Sequence, residues 1–179
     1  LVAAFGRGGA VGLASASIFV LTAALLYLAS TLYHALPAGR AKHVFRFLDH
    51  GTIFLLIAGT YTPFTLGALW GPWGWSLFGV VWALALVGVG VEALGGRWKQ
   101  RVSMVLYLAM GWLIVIALGP LVERVAAPGV WLLAAGGLAY TGGVAFYAMK
   151  RVRYSHFIWH LFVLAGTALH FVAVMRYAA

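Results

Sequence analysis

Two histidines spaced four residues apart, His156 and His160, could bind a metal ion from one face of a helix. Residues at positions i and i+4 of an α-helix have Cβ atoms about 5–6 Å apart, so both imidazoles can reach one ion. A second pair with this spacing, Ser30 and His34, would place a hydroxyl and an imidazole on one face of another helix. An HxxxH pair alone is more often an interfacial or packed pair than a metal site, so the pattern needs support from elsewhere in the chain.

An aspartate in an apolar stretch, Asp49, could hold or deprotonate a water molecule at such a site, and Ser30 could orient that water or a substrate carbonyl. Both have structural alternatives. Asp49 could cap a helix or pair with Arg46, and Ser30 could donate to a backbone carbonyl one turn earlier. His170 lies ten residues beyond His160, roughly 15 Å along a helix, so we expect a hydrogen-bonded packing role for it, outside the site.

The segments that carry these residues are apolar enough to cross a membrane. The sequence has 179 residues, of which 64% are hydrophobic and 8% are charged, whereas about a quarter of an average soluble chain is charged. Apolar runs of about 20 residues, enough to cross a bilayer, recur along the chain. They predict an all-α polytopic membrane protein with six complete spans, at about 11–36, 44–69, 74–94, 102–121, 130–149 and 155–177.

Leu1–Phe5 have the character of the end of an earlier span, followed by a loop signal at Gly6–Gly9. We therefore expect residues 1–179 to form a single seven-helix membrane domain whose first span is largely missing from this sequence.

Basic residues in the connections predict the orientation of the bundle. The formal net charge is +9, and most of the positive charge falls in alternate loops, which the positive-inside rule places in the cytoplasm. The C-terminus is then outside. No basic face is clustered on a water-exposed module, so we expect no nucleic-acid partner. The basic loop residues are Arg40, Lys42 and Arg46, then Arg97, Lys99 and Arg101, then Lys150, Arg151 and Arg153.

This orientation brings the unusual polar residues of three spans to one depth, near the cytoplasmic face. Three imidazoles with an open fourth position are typical of a catalytic zinc site, where the ion lowers the pKa of a coordinated water. The sequence therefore predicts zinc bound by His34, His156 and His160, with Asp49 and Ser30 as catalytic residues. We expect the other polar groups to lie outside this site, with His43 and His50 facing lipid headgroups and Glu92 paired with a basic residue of the following loop.

The chain resembles the hemolysin III branch of the progestin and adipoQ receptor superfamily, which includes the adiponectin receptors. The matching stretches are Ser30–His34, Leu48–Gly51 leading to Ala58–Phe64, and His156–His160. The resemblance extends over essentially the whole chain, and it implies a seven-helix bundle with a cytoplasmic N-terminus. It also implies zinc held by the three histidines, with the aspartate and the serine beside it. The motif set is similar to that of the alkaline ceramidases, which implies hydrolysis of an amide or ester bond in a lipid.

The function expected from these patterns is that of a zinc-dependent hydrolase of a lipid-like substrate in a bacterial plasma membrane. One alternative is a membrane-perturbing or pore-forming haemolysin that causes cytolysis, although an ion path should place polar residues along the whole length of the spans. Another is a non-enzymatic sensor in which zinc is structural. Membrane lipid is the expected partner, and the sequence leaves the oligomeric state open.

Overall fold

Six long helical segments run back and forth through the molecule. The computed structural model describes residues 2–149 and 151–178, with side chains from residue 8 onward, and the described residues contain no β-strand. The elements are α1 (Val2–Ala35), α2 (Arg40–Leu66), α3 (Pro72–Leu94), α4 (Lys99–Trp112), a 3₁₀ turn (Leu113–Ala117), α5 (Leu118–Arg124), α6 (Ala127–Ala148) and α7 (Ser155–Tyr177).

Five of these segments are long and apolar enough to cross a membrane: Gly8–Ala35, Pro72–Leu94, Lys99–Arg124, Ala127–Ala148 and Ser155–Tyr177. Large apolar side chains point outward from them, with Leu21 61%, Leu86 66% and Trp131 74% exposed. Lipid tails, rather than water, are the medium that such surfaces suit. The prediction of an all-α polytopic membrane protein is confirmed, and the predicted spans match the helices to within a few residues.

Helix α2 is not one of those five segments and lies inside the bundle, in contact with α1, α3, α4 and α7. Its side chains Phe54, Leu56 and Phe64 are almost completely buried. Glycine allows a close helix crossing on α3, where Gly88 packs against the ring of Phe54 and has no room for a Cβ. The central position of α2 means that its polar residues face other helices instead of lipid.

The fourth segment is broken, which the apolar pattern did not predict. In an uninterrupted α-helix the Ile114 amide would donate to the carbonyl of Met110. Instead the hydroxyl of Tyr61 on α2 lies between them, accepting from Ile114 N at 2.9 Å and donating to Met110 O at 2.8 Å. A side chain inserted into the backbone ladder is a recognised cause of a helix break, and here the 3₁₀ turn follows at once.

The three basic loops lie at one end of the bundle. At the opposite end, Ala68 N donates to Ala178 O at 3.0 Å and Arg124 donates to Trp70 O at 3.0 Å, which joins the α2–α3 loop to the end of α7 and to α5. Successive loops therefore alternate between the two ends of the bundle, as the distribution of basic residues predicts. Lys150, one of the predicted cytoplasmic residues, lies outside the described residues.

Helix α1 is interrupted at Gly9, which has φ 59° and ψ −147°. Only glycine adopts this conformation without strain, so the loop expected at Gly6–Gly9 is reduced to one non-helical residue. Leu1 and the side chains of residues 2–7 lie outside the described part of the chain. The prediction that Leu1–Phe5 end an earlier span therefore stays a prediction.

Candidate metal centre

Three imidazoles from α1 and α7 meet at the end of the bundle that carries the basic loops. The Nε2 atom of His156 lies 3.3 Å from that of His34 and 3.1 Å from that of His160. One ligand atom from each residue lies within 4.8 Å of the other two. Zinc–nitrogen bonds of about 2.0–2.1 Å in tetrahedral geometry place neighbouring nitrogens roughly 3.4 Å apart. The group could therefore hold a metal ion, and its spacing fits zinc.

Neighbouring aromatic rings position the imidazoles. The ring of Tyr33 packs on His34 with centroids 4.7 Å apart, and Tyr147 on α6 packs on His156 at 6.0 Å. The chain enters α7 through Tyr154, which adopts a left-handed conformation with φ 62°. That conformation is uncommon for a residue with a side chain, and it lets α7 begin only one residue before His156.

Asp49 and Ser30 line the same cavity as His156 and His160. Asp49 is 7% exposed and is not part of the group of mutually close ligand atoms. It lies well inside α2, which begins at Arg40, so the alternative that Asp49 caps this helix is wrong. No ion pair joins Asp49 to Arg46 among the described residues.

Ser30 differs from three threonines of α1 and α2 in its hydrogen bonding. Thr31, Thr52 and Thr60 each donate to a carbonyl four residues earlier, at 2.7–2.8 Å. In the described part of the chain Ser30 makes no such bond, so the structural alternative proposed for it is absent. Its hydroxyl is free to donate into the cavity.

The cavity has a volume of about 450 Å³ and reaches from His160 to His170. Much of its wall is apolar, which suits a hydrocarbon chain. The apolar wall includes Leu26, Ile53, Leu56, Ile57, Leu108, Trp112, Val144, Trp159 and Val163. An apolar chamber with a polar, metal-competent end can hold a long molecule by its tail and present one polar group to the three histidines.

A buried acidic network stands at the same end of the cavity. Glu92 is 4% exposed and lies 2.7 Å from Lys99 Nζ, while Ser103 donates to it at 2.6 Å. The expected pairing of Glu92 with a basic residue of the next loop is confirmed. His50 Nδ1 lies 3.5 Å from the carboxylate, and Tyr107 donates to the His50 carbonyl at 2.8 Å.

The expectation that His50 faces headgroups is therefore wrong. The position of His50 next to Asp49 on α2 cannot show that α3 and α4 cover this side of the helix. The one sequence signal that could have found the network is Glu92 itself, an acidic residue in an apolar span, because a buried carboxylate requires partners.

Similarity to known proteins extends over nearly the whole chain. The sequence profile of the family described as Haemolysin-III related matches residues 4–171. Hemolysin-3 of Bacillus cereus is 41% identical over 171 residues, which are 96% of this chain and 78% of that protein. The Hemolysin-3 homolog of Bacillus subtilis (strain 168) is 41% identical over 177 residues, 99% of this chain and 83% of the relative.

The human Monocyte to macrophage differentiation factor is 28% identical over 158 residues, which are 85% of this chain and 65% of that protein. No solved structure matches the chain.

Proposed function

Because this chain belongs to the Haemolysin-III related family of membrane proteins, we propose that it binds zinc and hydrolyses an amide or ester bond in a lipid-like substrate. The observation that carries the proposal is the convergence of His34, His156 and His160, with ring nitrogens 3.1 and 3.3 Å apart. Two of them, His156 and His160, line one end of an apolar cavity. We place this end at the cytoplasmic face of a bacterial plasma membrane, within a single seven-helix domain whose C-terminus is outside.

The three histidines would hold the ion, leaving a fourth position open. Zinc bound there would supply Lewis-acid chemistry, polarising a carbonyl and activating water at neutral pH. A metal with three imidazole ligands suits this role better than a closed four-ligand site, which is the structural type.

The remaining chemistry would come from two side chains of the cavity wall. Asp49 is a buried carboxylate with no ion-pair partner among the described residues, so it can accept a proton from a water held beside the histidines. Ser30 has a free hydroxyl, which can donate to the oxygen of the scissile carbonyl and orient it. The apolar wall would bind the lipid chain and exclude bulk water from the reacting bond.

Metal analysis of the purified chain tests the proposal. We expect about one zinc ion per chain in the wild type and almost none after His34→Ala combined with His160→Ala, because a single imidazole remains. His43→Ala is the matched control, since this exposed histidine is not part of the group and its variant should keep the metal. Zinc retained by the double variant would overturn the proposal, as would a wild-type chain that takes up none.

A second candidate function follows from the printed names of the bacterial relatives, Hemolysin-3 and Hemolysin-3 homolog. The chain would then permeabilise membranes. Dye release from phospholipid vesicles that is unchanged by His34→Ala would favour it. Cavity hydroxyls such as Thr60 donate to their own helix, so their protons are not available to water. The cavity therefore suits a lipid chain better than a continuous path of water and ions.

A further inference from the structure

A second polar cluster lies at the other end of the cavity, where Tyr27, Tyr140 and His170 line the wall and Thr167 is hydrogen-bonded to both tyrosines. It consists of Tyr27 on α1, Tyr140 on α6, and Thr167 and His170 on α7, and we call it the distal subsite. Thr167 and His170 follow His160 by seven and ten residues, which corresponds to about 10–15 Å along a helix. The distal subsite is therefore too far from the three histidines to share a metal with them, and the proposed hydrolysis gives it no task.

The hydroxyl protons of the distal subsite can all be assigned. Thr167 Oγ1 has one proton and lies 3.0 Å from the carbonyl oxygen of Val163, which can only accept, so Thr167 donates there. Tyr27 and Tyr140 lie 2.9 and 2.8 Å from Thr167 Oγ1, so both phenols must donate to it. Each phenol has then used its proton and keeps an oxygen that can accept.

His170 adds a third acceptor. Its Nε2 atom lies 3.1 Å from the carbonyl oxygen of Leu133, so Nε2 carries the ring proton. Its Nδ1 atom is buried and has no hydrogen-bond partner. Protonating Nδ1 as well would bury a charge with no described carboxylate within 4.0 Å, which is costly. The ring is held in place by Tyr140, with centroids 5.4 Å apart, and by Gly136, which leaves no space for a Cβ.

We propose that the distal subsite binds a hydroxyl group carried on the apolar part of the ligand. Its donors are all used and His170 Nδ1 is an unpaired acceptor, so a carbonyl, ether or carboxylate would find no donor there, whereas an O–H that reaches Nδ1 as the neighbouring side chains adjust would pair it. An ammonium group would bring a charge that nothing nearby neutralises. The inference rests on the proposed function for the ligand's orientation: the scissile carbonyl at the metal centre and the hydroxyl about 10–15 Å away. The substrate class is then a lipid with a hydroxylated acyl chain.

The test is the binding of two matched probes, 12-hydroxydodecanoic acid and dodecanoic acid, to the purified chain in detergent. Equilibrium dialysis with measured free concentrations removes the effect of partition into micelles. We expect the hydroxylated acid to bind wild type at least fivefold more tightly than dodecanoic acid, because only its hydroxyl can donate to the unpaired acceptor. Equal affinities would mean that the subsite does not recognise the hydroxyl, and they would overturn the proposal.

Variants locate the preference. His170→Phe and Tyr140→Phe should each remove most of it, whereas Tyr154→Phe, the same change on an exposed tyrosine away from the cavity, should keep it. The readout is a ratio of two affinities in one preparation, so an unfolded fraction lowers both equally. A preference that survives in both cavity variants would overturn the proposal.

Measuring both the zinc content and the two affinities, in the wild type and in the His34→Ala, His160→Ala chain, separates this inference from the proposed function. A wild-type chain that lacks zinc but prefers the hydroxylated acid overturns the metal site and leaves the distal subsite standing. A zinc-loaded chain with no preference does the reverse.

Discussion

Asp49 is the residue on which the proposed hydrolysis most depends apart from the metal ligands. Replacing it with asparagine keeps its size and removes its ability to accept a proton. We expect Asp49→Asn to bind zinc like wild type and to lose at least about 100-fold in hydrolysis, the usual contribution of a general base. Zinc analysis and fatty-acid release from acyl amide and acyl ester lipids would check this together. Full activity in the variant would contradict the role, and lost zinc would instead make Asp49 a ligand.

The pair of Glu92 and Lys99 gives a prediction about stability. With Lys99→Met, the carboxylate of Glu92 stays buried without its strongest partner, at 2.7 Å. Breaking a buried ion pair in this way typically costs about 3–5 kcal/mol. Unfolding of the detergent-solubilised chain by SDS, followed by circular dichroism, measures the loss.

Two controls accompany that measurement. Arg97→Met removes an exposed charge of the same loop and should change the free energy of unfolding little. Adding Glu92→Gln to Lys99→Met should recover much of the loss, because no charge is then left buried. Equal stabilities of Lys99→Met and Arg97→Met would show that the pair does not stabilise the fold.

Among the helices, the broken fourth segment depends on one hydroxyl of a neighbour. Tyr61→Phe should leave Ile114 N without a partner inside the bundle, whereas Met110 O keeps the amide of Leu113. Unpaired buried polar groups cost about 1–3 kcal/mol, so the variant should unfold at lower SDS than wild type. Tyr154→Phe removes a hydroxyl from an exposed ring and is the control. If α4 simply closes its own ladder, the two variants will be equally stable.

The sequence could predict the membrane-spanning segments but not the contacts between helices. The length of an apolar run shows whether a segment can cross a bilayer, so the helices agree with the predicted spans. Loop charge reports direction, and direction was enough to bring His34 and His156 to one depth. Neither signal reports which helices touch. The partners of His50 and the insertion of Tyr61 into α4 depend on neighbours distant in sequence and could not be predicted.

For the molecule as a whole, the loop charges predict the orientation in the membrane. The chain contains no cysteine, so a single introduced thiol can be labelled without background. We expect a membrane-impermeant maleimide to label Glu123→Cys on intact cells and to label Arg97→Cys only after lysis, because these exposed residues lie at opposite ends of the bundle. The reverse pattern would place the three histidines at the outer face.

The three histidines of the candidate metal centre come from helices that are far apart in the order of synthesis. His34 and His156 are separated by 122 positions, and two of the three imidazoles belong to α7. A nascent chain that has not yet delivered α7 offers one histidine to an ion and cannot retain it. On the proposed function, metal uptake would therefore come last during biogenesis, and bound metal would mark molecules whose assembly is finished.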